Sequence, residues 1–280
     1  MGFLSVLICL LVDYFSASLT IFREVEWFTH FRQAIQIKLA SQSPLTQLMV
    51  LYLPFIFIVF VVQIVFSGVL FNLLSLVFDL LVLFFCLRRL NVKESLDEMK
   101  EILDEKSVEH ASIFMEQKYG VFPSVNENNL YRAVNTWLVQ EYMQGFFVVI
   151  FWFFLLGPVG AVVSRLLMIT SQKLEETESQ LWHINQKILS YVEWLPSRVV
   201  AISFSLVGQF DAALDEWLQH WKTTTLQKNH SLVFQCVHAA LGMEEDTLKA
   251  GSTESVRQLL VRTQVLWLGV VGGVVLLYFI

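Results

Sequence analysis

Asn72, Ser75 and Asp79 stand at i, i+3 and i+7 inside an apolar run, so a helix places them on one polar stripe. An ionised carboxylate at the centre of a bilayer costs roughly 2.5 to 3.5 kcal/mol on insertion scales and needs a partner or a purpose. Ser5, Cys9, Asp13 and Ser16 make a similar stripe near the start of the chain. Two chemistries fit such stripes, a polar pocket or ion path and hydrogen bonding that holds helices together, with the balance falling to the second. Glu141, Arg165 and Arg198 fall near the ends of apolar runs, where side chains reach back to the headgroup layer. Arg198 follows Pro196, a residue suited to the first turn of a helix, and at such a mouth it is expected to bind an anion.

Other chemistries find no footing. The chain contains no phosphate-cradling Gly-x-x-x-x-Gly-Lys-Ser/Thr loop, no His-Glu-x-x-His pair for zinc and no Gly-x-Ser-x-Gly elbow. His230, Cys236 and His238 match no standard metal spacing and read as a surface helix with two histidines. The three cysteines, Cys9, Cys86 and Cys236, are scattered and give no disulfide framework. A net charge of -6 offers no footprint for nucleic acid.

The elements that position these residues belong to a membrane. Apolar residues make up 55% and charged residues 16%, with 24 Phe, where a soluble domain carries about 25% charged residues. The mean hydropathy is +0.58. The expected fold is all-α, a polytopic membrane helix bundle of five or six transmembrane helices with a cytoplasmic helical insert. Spans are expected near 45–66, 69–87, 143–163 and 264–280, apolar runs close to the roughly 20 residues that cross the hydrocarbon and uncharged except for Asp79 in the second. Residues 3–22, with no basic residue before the apolar stretch, read as a retained first helix rather than a signal peptide. If they lie in the interface instead, five crossings remain.

Residues 198–217 decide the topology. Without a crossing there, Lys and Arg divide 10 to 9 between the two sides; with one, they divide 15 to 4, as the positive-inside rule expects. The segment is therefore counted as spanning, which puts both termini in the periplasm. Residues 88–142 form a cytoplasmic helical hairpin in which Val92, Leu96, Met99 and Leu103 line one face, 120–129 is a loop, and a helix from Leu130 runs on into the third span. Residues 219–263 read as a cytoplasmic amphipathic helix, a turn near Leu241-Gly242 and a polar linker at 249–253.

Several segments together resemble the AmpE family. They are Ser67-Gly68-Val69-Leu70-Phe71-Asn72-Leu73-Leu74, Tyr119-Gly120-Val121-Phe122-Pro123 followed by Leu130-Tyr131-Arg132, and Trp194-Leu195-Pro196-Ser197-Arg198-Val199 followed by Ala213-Leu214-Asp215-Glu216-Trp217. The resemblance implies a multi-pass bacterial inner-membrane protein with a regulatory role in β-lactamase induction or the response to cell-wall stress, and no catalysis. That family is itself similar to the CobD/CbiB membrane enzymes of cobalamin biosynthesis. The likeness is seen at Leu156-Gly157-Pro158-Val159-Gly160-Ala161 and Leu195-Pro196-Ser197-Arg198, but their polar Asn and Asp are replaced here by Met168 and Ser171. The alternative is thus an ATP-dependent ligase with Arg165, Arg198 and Arg132 on an anionic substrate and Asp79 or Glu141 assisting. A third reading, a small transporter with Asp13 and Asp79 in its path, lacks the repeat typical of transporters. No cofactor or metal is expected. The expected partners are membrane lipids, an anionic small molecule and a protein whose identity the residues do not give.

Overall fold

The computed structural model describes residues 2–15, 26–39, 41–66, 72–87, 92–105, 107–120, 126–173, 179–222, 228–243 and 250–279. Among them the regular structure is entirely helical. The helices are α1 (Gly2–Phe15), α2 (Glu26–Lys38), α3 (Pro44–Val65), α4 (Asn72–Cys86), α5 (Val92–Glu105), α6 (Val108–Tyr119), α7 (Glu127–Tyr142), α8 (Val148–Leu156), α9 (Pro158–Lys173), α10 (Ser179–Val207), α11 (Phe210–His220), α12 (Asn229–Leu241) and α13 (Ala250–Phe279). A π-helical segment, Met143–Phe147, joins α7 to α8. The chain divides into two compact units, the first made of Met1–Arg89, Gln144–Glu193 and Val274–Ile280, the second of Leu90–Met143 and Trp194–Gly273.

In the first unit α3 is the longest apolar element. Ser43 caps it by accepting the Thr46 N–H at 3.3 Å, and Pro44 enters at a position where no N–H is needed. Its 22 residues rise about 33 Å, enough to cross the hydrocarbon. Leu48 and Leu51 are buried, and Leu48 packs with Leu181 of α10. Phe57 is 67% exposed and Ile58 59% exposed, so the helix turns large apolar side chains outward. From α2, Trp27, Phe28 and Phe31 gather around Phe55 with ring centroids 5.5, 6.0 and 5.3 Å away. Helix α4 packs against α1 and α9.

The expected third span, 143–163, is not one helix. Helix runs without a gap from Glu127 to Leu156 and then breaks at Gly157, whose φ of 70° and ψ of -157° suit glycine. Pro158 starts α9, which folds sharply back on α8: a Cβ on Gly160 would stand 2.4 Å from the Trp152 carbonyl oxygen. Of the expected 69–87, Asn72–Cys86 is helical as α4, with 69–71 outside the described residues, and of the expected 3–22, helix covers Gly2–Phe15 with 16–22 outside them.

In the second unit α5 and α6 form a hairpin held by the Tyr119 hydroxyl on Ser95 and by a Lys118–Glu98 ion pair. Leu96 and Met99 of the expected stripe are buried; the side chain of Val92 lies outside the described residues. Gly120, in the left-handed region at φ 65°, closes α6. Ser107 caps α6 as a helix separate from α5, so the insert holds three helices rather than a hairpin; the third, α7, begins at Glu127 behind an Asn126 cap, three residues earlier than expected.

Residues 198–217 do not form one crossing helix. Helix α10 starts far upstream and ends at Val207; Gly208 and Gln209 then reverse the chain into α11. The Trp217 indole N–H donates to the Arg198 carbonyl at 3.1 Å, whereas a straight helix would hold those residues about 28 Å apart. Pro196 lies inside α10 and does not start a helix. Without this crossing the basic residues again divide 10 to 9, and charge no longer orients the chain. Two further expectations change. Ala250–Thr253 are the first turn of α13, not a linker. The helix carrying His230, Cys236 and His238 is no surface helix, since α12 buries Leu232, Val233, Cys236, Val237 and His238.

Candidate functional site

The two sequence stripes meet in the first unit. Asp79 is buried, with 8% of its surface exposed, and the Ser5 hydroxyl of α1 donates to its carboxyl. One and two turns on, Cys9 of α1 and Cys86 of α4 are buried and close enough to interact electrostatically, and Arg165 of α9 acts on Cys86 as well. The expected reading of Arg165 as an arginine reaching the headgroups is corrected, because it is 7% exposed and packed inside its unit. Asp13 and Asn72 lie on α1 and α4, but their side chains fall outside the described residues.

A second polar cluster in this unit was missed by sequence reading. Tyr52 of α3 donates its hydroxyl to Asn185 Oδ1 at 2.7 Å, and Asn185 Nδ2 donates to the Leu167 carbonyl at 3.1 Å. Thr170 also bonds Tyr52, and the buried Arg32 adds positive charge beside it. Eight residues along α10 from Asn185, hence on nearly the same face, Glu193 accepts from Gln144 Nε2 at 2.9 Å. Gln144 stands in the π-helical segment, a distortion that often accompanies function. Pro196 explains the neighbouring bond. Lacking an N–H, it leaves the Val192 carbonyl without its helical donor, and the Trp152 indole N–H fills the place at 2.9 Å. Gln63, an amide in the apolar half of α3, rests against Gly157 at the helix break.

In the second unit Arg198 is 5% exposed and its donors are engaged. Its Nε donates to the Trp221 carbonyl at 3.0 Å, and Nη1 donates to the Trp194 carbonyl at 3.0 Å and to Asn229 Oδ1 at 3.2 Å. Its guanidinium lies 4.3 Å from the Trp194 ring centroid. Trp217 and Trp221 stack at 5.2 Å with planes 2° apart. Arg198 therefore joins α10, the end of α11 and the start of α12 through their carbonyls and Asn229, and it lies inside α10 rather than at a helix mouth. Arg132 is exposed on α7 and Glu141 is half-buried on the same helix. Arg165 belongs to the first unit and Arg132 and Arg198 to the second, so neither unit holds all three arginines of the ligase alternative.

Outside the apolar segments one charge network stands out. Arg257 donates to both carboxylate oxygens of Glu254, at 2.9 and 2.7 Å, and this pairing holds the Glu254 carboxyl down at about 2. Tyr142 of α7 bonds Arg257, and Lys100 of α5 adds a favourable charge.

Among the described residues the protein is all-helical, with two helices, Pro44–Val65 and Glu127–Leu156, long and apolar enough to cross a membrane. Many buried polar groups among them pair with one another or with helix carbonyls, while Gln63 Oε1, Asn135 Oδ1 and Thr253 Oγ1 are buried without a hydrogen-bond partner. A family model described as regulatory signalling modulator protein AmpE matches residues 4–244. The chain belongs to the AmpE family. No curated protein and no solved structure matches it.

Proposed function

We propose that this chain is a multi-pass inner-membrane protein that modulates β-lactamase induction or a wider response to cell-wall stress, without catalysing a reaction of its own. The family match over 4–244 carries the regulatory reading. The membrane reading is supported by α3, in which only 17% of the most apolar window is buried while Phe57, Ile58, Phe60 and Ile64 face outward. Water would penalise such a surface and lipid would not. The crossings we propose are residues 3–22, 45–66, 69–87, the helix 127–156 and 264–280, with 198–217 folded back outside the set.

The test is deletion of the gene in a host with an inducible β-lactamase, followed by a subinhibitory β-lactam and an assay of enzyme activity. Altered induction, restored by the intact gene, is the expected result. Unchanged induction across the dose range would remove this reading.

A further inference from the structure

A cavity of about 300 Å³ lies in the second unit where the ends of α10 and α12 meet one face of α13. That volume is at the lower end of ligand pockets. Ser255, Gln258 and Arg262 recur at i, i+3 and i+7 and so line it from a single face of α13, while Gly208, Gln209 and Ala240 close the other side. Gly208 makes the junction tight, since a Cβ there would stand 2.5 Å from the Ala240 carbonyl oxygen.

The two walls differ in charge. Arg262 contributes a guanidinium that has no hydrogen-bond or ion-pair partner among the described residues, unlike Arg257 on Glu254 and Arg198 on its carbonyls. Facing it are the C-terminal ends of α10 and α12, where helix carbonyls concentrate partial negative charge. At these ends Ala240 accepts the Gln209 N–H at 2.8 Å, Ala239 the Gly242 N–H at 3.1 Å, His238 the Met243 N–H at 3.0 Å and Phe204 the Gly208 N–H at 2.8 Å, each carbonyl keeping a second lone pair. Gln258 gives its amide N–H to Glu254 at 3.0 Å, which leaves its oxygen to accept from a ligand. Arg262 is followed, after Thr263, by the uncharged run 264–279, which places it where phosphate headgroups lie if that run enters the bilayer.

We propose that this cavity binds a zwitterionic phosphate group, with the phosphate on Arg262 and an ammonium at the carbonyl ends of α10 and α12. This is the chemistry of phosphoethanolamine, carried by a phospholipid or free. The lipid source rests on the membrane reading of 264–279, which sedimentation of each variant with membranes checks separately.

Full-length protein is purified in mild detergent and weighed by native mass spectrometry for retained phosphatidylethanolamine. Its thermal unfolding is followed with soluble phosphoethanolamine and with inorganic phosphate. Arg262→Gln is expected to lower retained lipid, or the shift with phosphoethanolamine, at least tenfold. Arg262→Lys should keep part of it, and Lys187→Gln, in the first unit, all of it. Retained lipid without a soluble response marks the lipid as the source, and the reverse marks the free compound. Arg262→Gln behaving as the unmodified protein, or an unmodified protein with neither lipid nor shift, would overturn the site. Inorganic phosphate matching phosphoethanolamine would overturn its zwitterionic character.

Discussion

Arg165 and Arg198 are buried to nearly the same degree, at 7% and 5% exposure, yet their surroundings differ. Arg165 sits among helices of the first unit with the thiol of Cys86 nearby, in a unit whose outer face includes the apolar side chains of α3. Arg198 sits in the second unit, where α5 and α12 turn apolar residues inward and charge is spent on helix ends and surface ion pairs. The first unit pairs polar groups inside and turns large apolar side chains of α3 outward, whereas α5 and α12 of the second bury their apolar faces. The difference shows why composition alone misplaces a segment such as 198–217: an apolar run is needed both by a lipid-facing helix and by a buried core.

The contrast can be broken most forcefully at the corner of the first unit. Gly160→Val puts side-chain atoms into the Trp152 carbonyl and the Leu156 side chain, so α8 and α9 must separate. A loss of about 3 kcal/mol or more is expected. It reads out as loss of protein from the membrane fraction and cleavage near residue 157 in limited proteolysis.

Arg198→Ala is the next largest. It strips donors from the Trp221 and Trp194 carbonyls and from Asn229, at an expected cost of about 2 to 3 kcal/mol. Hydrogen exchange in α11 and α12 should rise, and abundance should fall together with function. Arg198→Lys should recover only part, because an ammonium cannot reproduce the planar fork. Intact abundance with abolished function in the Ala variant would return Arg198 to a ligand-binding role.

Asp79 sharpens the comparison from the other side. Asp79→Asn keeps the shape and the acceptor for the Ser5 hydroxyl, and both abundance and activity should be preserved. Asp79→Leu leaves Ser5 without its partner at about 1 to 2 kcal/mol and should lower abundance. A stable but inactive Asn variant would mean that the ionisable group itself is required.

The smallest effect belongs to the second unit's surface. Glu254 has its carboxyl depressed to about 2 by Arg257, so the stability it contributes is present above the ordinary carboxylate range and is lost as pH falls toward 2. Because the pair is partly exposed, the contribution should be about 1 kcal/mol or less. Melting curves of Glu254→Gln and the unmodified chain should differ at pH 7, draw together as pH falls below the ordinary carboxylate range and converge only at about pH 2 and below.

Much of the first unit was legible because its signals are local. The uncharged run behind Ser43-Pro44 announces α3 to within one residue, and period 3.6 placed Ser5 and Asp79 on inward faces that do meet. What escaped depends on distant partners. Nothing around Gly208 declares a reversal until the Ala240 carbonyl takes the Gln209 N–H. Ala250–Thr253 has the composition of a linker but becomes helix, with Thr253 buried and Asn135 Nδ2 donating to Ser252 at 3.4 Å. Asn185 and Glu193 lay in a stretch read as outside the bilayer, so their common face went unremarked.

The central claim, that α3 turns its apolar face to lipid, is tested most directly by spin labels at Phe57 and Ile58 in reconstituted membranes. Collisions with oxygen and with a water-soluble nickel chelate are compared at each site. High oxygen and low nickel accessibility at both is the predicted result; nickel accessibility equal to that of a label at the exposed Lys187 would contradict it.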